Sequence, residues 1–323
     1  MPYIIAELCQ NHSGERKIFG EMIRAAAEAG ATHLKMQTIF SEDLTRRERF
    51  EDGWVENNGV QKTIRRPFEP ERDRLRRLDL TLEDHFFFIE ECKKAGVIPL
   101  TAIFARRRIP AVAALPWSKR VVKVASYDCA SHAMIRELSG AFDHLIVSTG
   151  GTFDDEIRET ARIVKDAGRE LTLLHCVTSY PNTRVMCNLA RIGWLRQFAP
   201  TVGWSDHTLV ARDGIQAAKV ALAEGADYVE RHFTIQETDK TKDGPISVTP
   251  ALLKELTAFA GLPRTEMRER IEREIPDWRI MIGTAGRDMT QTEMLNRDYY
   301  RGRFASWSDG RWVYNWEEEP VKA

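Results

Sequence analysis

The chain has 323 residues, of which 43% are hydrophobic and 29% charged, enough for one large barrel-type domain or two smaller ones with a full core. Its formal net charge of −1 supplies no global field to draw in nucleic acid. The opening "MPYIIAELCQNHSG" has no basic leader with a long apolar stretch, and no run approaches the roughly 20 apolar residues of a membrane span, so a cytoplasmic protein without membrane contact is expected. The five cysteines, Cys9, Cys92, Cys129, Cys176 and Cys187, are odd in number, lack framework spacing and mostly lie in apolar runs. They read as reduced thiols.

Along the chain, short β-type runs alternate with amphipathic helical ones. "YIIAEL" precedes the helix "KIFGEMIRAAAEAG", and "HLKMQT" leads into a long Arg-rich insertion over residues 41–80 before the helix "TLEDHFFFIEECKKAG". "VIPLTAIF", "RVVKVAS" and "HLIVST" follow, the last ahead of "DDEIRETARIVKDAG". "LTLLHCV", "TVGWSD" with "RDGIQAAKVALAEGA", and "YVERHFT" with "TPALLKELTAFAG" complete the pattern. Several helices stop at glycine and pass directly into the next strand. Eight strands in such alternation predict a (β/α)8 TIM barrel, whose active site lies at the C-terminal ends of the strands. A doubly wound sheet is the rival, but no Gly-rich GxGxxG loop follows the first strand. The barrel is assigned to residues 1–262. Residues 263–323 form a short extension whose Trp307, Trp312 and Trp316 predict packing on the barrel or on a second subunit. The arginines of the 41–80 insertion read as a solvated or salt-bridged helix face.

Side chains two apart on a strand share a face. Lys35 and Gln37 therefore point one way, Glu230 and His232 likewise, and Ser205 with His207. In a barrel the apolar partners face the helices, so these polar groups face the interior, where they need partners. Lys35 and Lys123 sit inside apolar strands with no carboxylate next to them in sequence, so an anionic ligand is their expected counter-charge. Ser126, Ser148, Thr149 and Ser205 at strand ends add the hydroxyl donors a phosphate requires. His207 and His232 on adjacent strands read as ligands of one divalent metal, with Glu230 or Asp206 ligating or orienting them. His12 and His175 are left as pocket-shaping groups.

These residues resemble the sialic acid synthases, enzymes that condense phosphoenolpyruvate with an open-chain amino sugar on a TIM barrel. The resemblance runs through "IIAELCQNHSG", "AAAEAGATHLKMQT", "LTLEDHFFFIEECKKAG", "KVASYDC", "IVSTGG", "LLHCVTSYPN", "VGWSDHT", "VERHFT" and "DGPISVTP", in order, over nearly all of residues 3–262. It implies that Glu7 faces the reacting carbons, and that Lys35 and Gln37 form the catalytic pair of the second strand. Lys123, Tyr180 and Asp243 complete the implied catalytic set. Lys35, Thr101, Lys123, Ser126, Ser148, Thr178 and Ser205 would contact phosphoenolpyruvate. Glu7, Gln37, Asp128, Tyr180, Glu230 and Asp243 would face the acceptor, an N-acetylmannosamine-like sugar. The implied cofactor is a divalent ion on His207 and His232, manganese first, with magnesium, cobalt, iron or zinc admitted, and a homodimer is the implied assembly.

The pattern departs from the family in three places. Ala102 stands where a hydroxyl is usual, with Thr101 beside it, and Thr178 stands where asparagine is common. The chain is also expected to lack the family's C-terminal antifreeze-like domain, which in the family covers the partner's sugar site and donates an arginine. The 41–80 insertion or the Trp-rich tail is then expected to act as cover, with Arg301 or Arg303 supplying the cation. Deleting residues 300–323 is accordingly expected to raise the acceptor KM. Three other readings remain open: condensation with a different aldehyde, a metal-dependent aldolase using pyruvate, and a non-catalytic barrel that binds sugar acids.

Overall fold

The computed structural model describes residues 1–322. The barrel strands are β1 (Tyr3–Glu7), β2 (His33–Thr38), β3 (Ile98–Ile103), β4 (Val121–Val124), β5 (His144–Ser148), β6 (Glu170–Cys176), β7 (Thr201–Asp206) and β8 (Tyr228–His232). Each falls within a run singled out in the sequence, except that β6 begins one residue earlier, at Glu170. All are parallel to their neighbours, and β8 pairs with β1 to close the ring. The expected (β/α)8 barrel is therefore the observed one.

Local signals explain the alternation. The helix Leu82–Lys94 starts on a reciprocal cap between Thr81 and Asp84, with acids in its first turn and Lys93 and Lys94 in its last, as the helix dipole favours. Outward-facing Ile4, Ala6, Leu34, Met36, Val122, Val124, Val147, Leu173, Trp204 and Val229 pack beneath helix residues such as Phe19, Phe88 and Leu138. The inward-facing set Ile5, Leu100, Val121, Ile146, Leu174 and Tyr228 makes a separate apolar floor inside the ring. Gly203 completes that floor on β7, where a Cβ would lie 2.1 Å from the Tyr228 carbonyl oxygen. No helix among the described residues is long and apolar enough to cross a membrane.

The insertion folds as the short hairpin Trp54–Val55 with Gln61–Thr63 followed by the helix Phe68–Arg76. Its arginines pair with acids three positions away, Arg74 with Glu71 at 3.0 Å and Arg72 with Glu69, in line with a salt-bridged face. Residues 291–314 return across the C-terminal mouth of the barrel as the helix Gln291–Tyr300 and the hairpin Ala305–Ser308 with Arg311–Tyr314. Asn296 donates to the Thr178 carbonyl at 2.8 Å, Arg297 to that of Gly151 at 2.6 Å, and Asn315 to that of Phe104 at 2.9 Å. This strap is tied to the insertion as well. Thr45 N–H donates to the Arg303 carbonyl at 3.0 Å, and the Arg47 guanidinium donates to the carbonyls of Asp298, Tyr299 and Arg301.

Candidate active site

One step above the apolar floor, each strand contributes its next inward residue. The set is Glu7, Lys35, Ala102, Lys123, Ser148, Cys176, Ser205 and Glu230, each buried and two positions after a floor residue or its register equivalent. Closure of the ring makes β1 the common neighbour of β2 and β8, so Glu7 lies beside both Lys35 and His232 in register. Lys35 Nζ then stands 2.5 Å from Glu7 Oε2 and 2.9 Å from Glu230 Oε2. Glu230 also accepts from Ser205 Oγ at 2.9 Å, and Glu7 Oε1 from the Cys9 N–H at 2.8 Å.

That arrangement corrects the expectation for Lys35. Within the chain its counter-charge is a pair of carboxylates, Glu7 and Glu230, brought to it by strands that are distant in sequence. Lys123 differs: its nearest carboxylate oxygen, Glu230 Oε1, is 3.9 Å away, and it donates to Ser148 Oγ at 2.6 Å and the Val124 carbonyl at 3.0 Å. Lys123 is thus the cation more open to an anion. Burial pulls the Lys35 ammonium down to about 8, while Glu230 opposes the shift and Lys123 assists it. The Glu230 carboxyl is burdened by burial, but Lys123 and Lys35 together hold it well below the usual carboxylate range.

Around Lys123 lie hydroxyls and a close-packed turn. Ser126 Oγ donates to Cys176 Sγ at 3.4 Å. Thr178 Oγ1 and Tyr127 OH are buried without hydrogen-bond partners. The turn after β5 approaches so closely that a Cβ at Gly150 would lie 2.6 Å from Thr178 Cγ2. Thr101 does not join them. Its hydroxyl lies on the opposite face of β3, 2.8 Å from Thr38 Oγ1 and 3.3 Å from the Met36 carbonyl, so its expected ligand contact is withdrawn and Ala102 is the inward residue. Strand parity, applied to β3 as to the other strands, would have predicted this.

On the next tier His207 and His232 meet edge to face, ring centroids 5.1 Å apart. His207 Nδ1 donates to the Val177 carbonyl at 3.3 Å, which leaves Nε2 with the lone pair a metal needs. Burial lowers the His207 imidazolium to about 4 and holds that of His232 well below the usual imidazole range, which favours the neutral rings. Cys9 Sγ lies 2.9 Å from His232 Nδ1, and donor atoms of Cys9, His232 and Asp243 all fall within 4.8 Å of one another. Neutral imidazoles with a thiol and a carboxylate suit a divalent transition ion. The Tyr180 ring, part-exposed, packs 4.3 Å from that of His207, and Gln37 sits half-buried on β2 above Lys35.

Asp206 is not available to this tier. It faces outward in a fully buried pair with Arg231 at 2.8 Å and accepts from Thr208. His175 is likewise outward, 2.7 Å from the Cys187 carbonyl oxygen, and His12 Nδ1 accepts from the Gly14 N–H at 3.0 Å. Asp128 is roofed by the strap: it accepts from Ser131 at 2.9 Å and from Asn315 at 3.0 Å, and burial raises its carboxyl to about 6. Arg303 is spent on Glu71, and Arg301 stands 3.6 Å from Glu156, so neither is an uncommitted cation. Sequence reasoning missed Cys9 as a member of the site and Glu230 as a partner of Lys35. Both were within reach: Cys9 stands two residues beyond inward-facing Glu7, and barrel closure puts β1 between β2 and β8.

A model of the NeuB family matches residues 22–262. The N-acetylneuraminate-9-phosphate synthase of Drosophila melanogaster is 30% identical over 264 residues, which cover 79% of this chain and 66% of that protein. The N,N'-diacetyllegionaminic acid synthase of Legionella pneumophila is 28% identical over 260 residues, 79% of this chain and 70% of that one. Among solved structures, the N-acetylneuraminic acid (sialic acid) synthetase of Leptospira borgpetersenii, in complex with citrate, is similar with a TM-score of 0.67 at 25% identity, over 85% of this chain and 93% of that chain.

Proposed function

The chain belongs to the NeuB family, and from that premise we propose that it condenses phosphoenolpyruvate with the aldehyde form of an N-acetylmannosamine-like amino sugar. The products are inorganic phosphate and a sialic-type α-keto acid three carbons longer than the acceptor. The observation that carries this reading is the polar tier itself, in which a lightly committed Lys123 stands across the ring from a carboxylate pair pinned by Lys35.

In this reading the phosphate of phosphoenolpyruvate lies at the Lys123 side, where Ser148, Ser126, Thr178 and the amides of the Gly150 turn fix its oxygens. Its enol carbon attacks the acceptor aldehyde, water adds to C2, and phosphate leaves with cleavage of the C2–O bond. Positive character that develops at C2 is stabilised by Glu7, whose carboxylate Lys35 and the Cys9 amide hold in place. Such preorganised charge acts strongly in a water-poor site. Tyr180, Gln37 and Asp243 line the acceptor side. A divalent ion on His207 and His232 supplies Lewis-acid polarisation of the aldehyde when bound. The strap and the insertion cover the mouth and limit water. We place the reaction in the cytoplasm, with a homodimer as the assembly to test.

The experiment is to incubate the protein with phosphoenolpyruvate, a divalent ion and a panel of amino sugars, and to follow phosphate and keto acid together. Equal amounts of both, dependent on the sugar, are expected. Keto acid formed when pyruvate replaces phosphoenolpyruvate in a parallel incubation would make the protein an aldolase, and neither product with any aldehyde would make it a binding barrel.

A pH dependence follows from Lys35. The protonated ammonium is the form that pins Glu7 and Glu230, so its contribution is complete at lower pH and lost as pH rises through about 8. Since kcat/KM reports groups of the free enzyme, its profile is expected to fall on the alkaline side near that value. A profile flat to pH 10 would separate Lys35 from catalysis.

A further inference from the structure

We propose that Cys9 and Asp243 join His232 as metal ligands, with the His207 ring edge to face beside them, forming a thiolate-containing centre that selects cobalt, iron or zinc over manganese or magnesium. The proposal rests on the reading of the two histidines as metal ligands and extends it to the identity of the ion.

Three observations lead to it. Ligands held about 2.0–2.3 Å from one ion lie within about 4.6 Å of each other, and the donors of Cys9, His232 and Asp243 are spaced on that scale, within 4.8 Å. The thiol is buried and directed at the imidazole, 2.9 Å from His232 Nδ1. Cys9 also holds a left-handed backbone, φ 49°, which favours glycine and disfavours a side chain unless that side chain has work to do.

The cluster is braced from both ends. The Cys9 N–H is fixed on Glu7 Oε1. The loop carrying Asp243 is tied to the loop after β1 through Asn11, which donates to Ser247 Oγ at 2.9 Å and accepts from Thr241 Oγ1 at 2.6 Å. Ser247 Oγ in turn donates to the Asp243 carbonyl at 2.7 Å. Binding would exchange the thiol proton for the metal, the proton leaving to water, with no change of oxidation state. A thiolate beside imidazole favours softer ions, whereas an all-oxygen or oxygen–nitrogen set admits manganese and magnesium.

The test uses the full chain, stripped of metal and titrated with cobalt(II) under anaerobic conditions. Cys9→Gly is the informative variant, because its backbone is the one that glycine favours and the fold is expected to persist. The unaltered protein is expected to bind one cobalt with a sulfur-to-cobalt charge-transfer band in the near ultraviolet and a metal–sulfur distance of about 2.3 Å by X-ray absorption. Cys9→Gly is expected to lose that band, to weaken cobalt at least about 100-fold, and to narrow the preference for cobalt over manganese at least about tenfold. Cobalt bound without a sulfur signal, and with affinity indifferent to Cys9→Gly, would overturn the thiolate and leave the histidine site standing. Failure of the unaltered protein to bind any divalent ion would overturn both.

Discussion

Replacing His207 or His232 by alanine is expected to lower kcat at least about a thousandfold and to strip the protein of its divalent ion. A Lewis acid at a carbonyl supplies several kcal/mol of transition-state stabilisation, and about 1.4 kcal/mol corresponds to each tenfold in rate. Neither ring has a structural duty that would confuse the result. Each is buried, they meet at 5.1 Å, and among the described residues their hydrogen-bond neighbours are the Val177 carbonyl and the Cys9 and Cys176 sulfurs. Metal content by mass spectrometry, measured beside turnover, checks the result. A variant that keeps both its metal and its rate would place the ion elsewhere.

Glu230→Gln is expected to reduce stability by about 3 kcal/mol, because Lys35 keeps Glu7 but Lys123 loses its nearest carboxylate, which leaves buried positive charge in excess. Glu230 contacts Lys35 at 2.9 Å and Ser205 at 2.9 Å, and it lies 3.9 Å from Lys123. With the charge removed, the tier of two lysines and two glutamates carries one positive charge in excess. An anion should therefore restore more stability to the variant than to the unaltered protein. Thermal melts with and without inorganic phosphate read this directly. Equal shifts in the two proteins would show that the phosphate region and the Glu230 pair are not coupled.

The barrel was legible because each strand is a short apolar run ended by polar residues, with an amphipathic helical run in most of the connections between them. The interior was legible in part. Parity placed Glu230 with His232 and Ser205 with His207, and the structure brings the two histidines edge to face. Parity does not state which strands become neighbours. The pairing of Lys35 with Glu7 and Glu230 depends on β1 closing against β8, a contact across more than 220 residues, so a local reading left that lysine waiting for a ligand. Thr101 departs for a different reason: the resemblance implies a hydroxyl near that position, and the one beside Ala102 points to the opposite face of β3. Cys9 carries little local signal, since a buried cysteine in an apolar run ordinarily packs as a small hydrophobe. The strap over Asp128 was beyond reach, because its anchors, such as Asn315 on Asp128 and Tyr300 on Tyr127, join segments with no shared periodicity.

The account is tested most directly by following the bridging oxygen of phosphoenolpyruvate. With oxygen-18 placed between C2 and phosphorus, attack by the enol carbon and addition of water at C2 must send the label out with inorganic phosphate. All of the label in phosphate, and none in the keto acid, is the predicted outcome. Label retained in the keto acid would mean that the P–O bond breaks instead, and that the tier of Glu7, Lys35, Lys123 and Glu230 serves a different reaction.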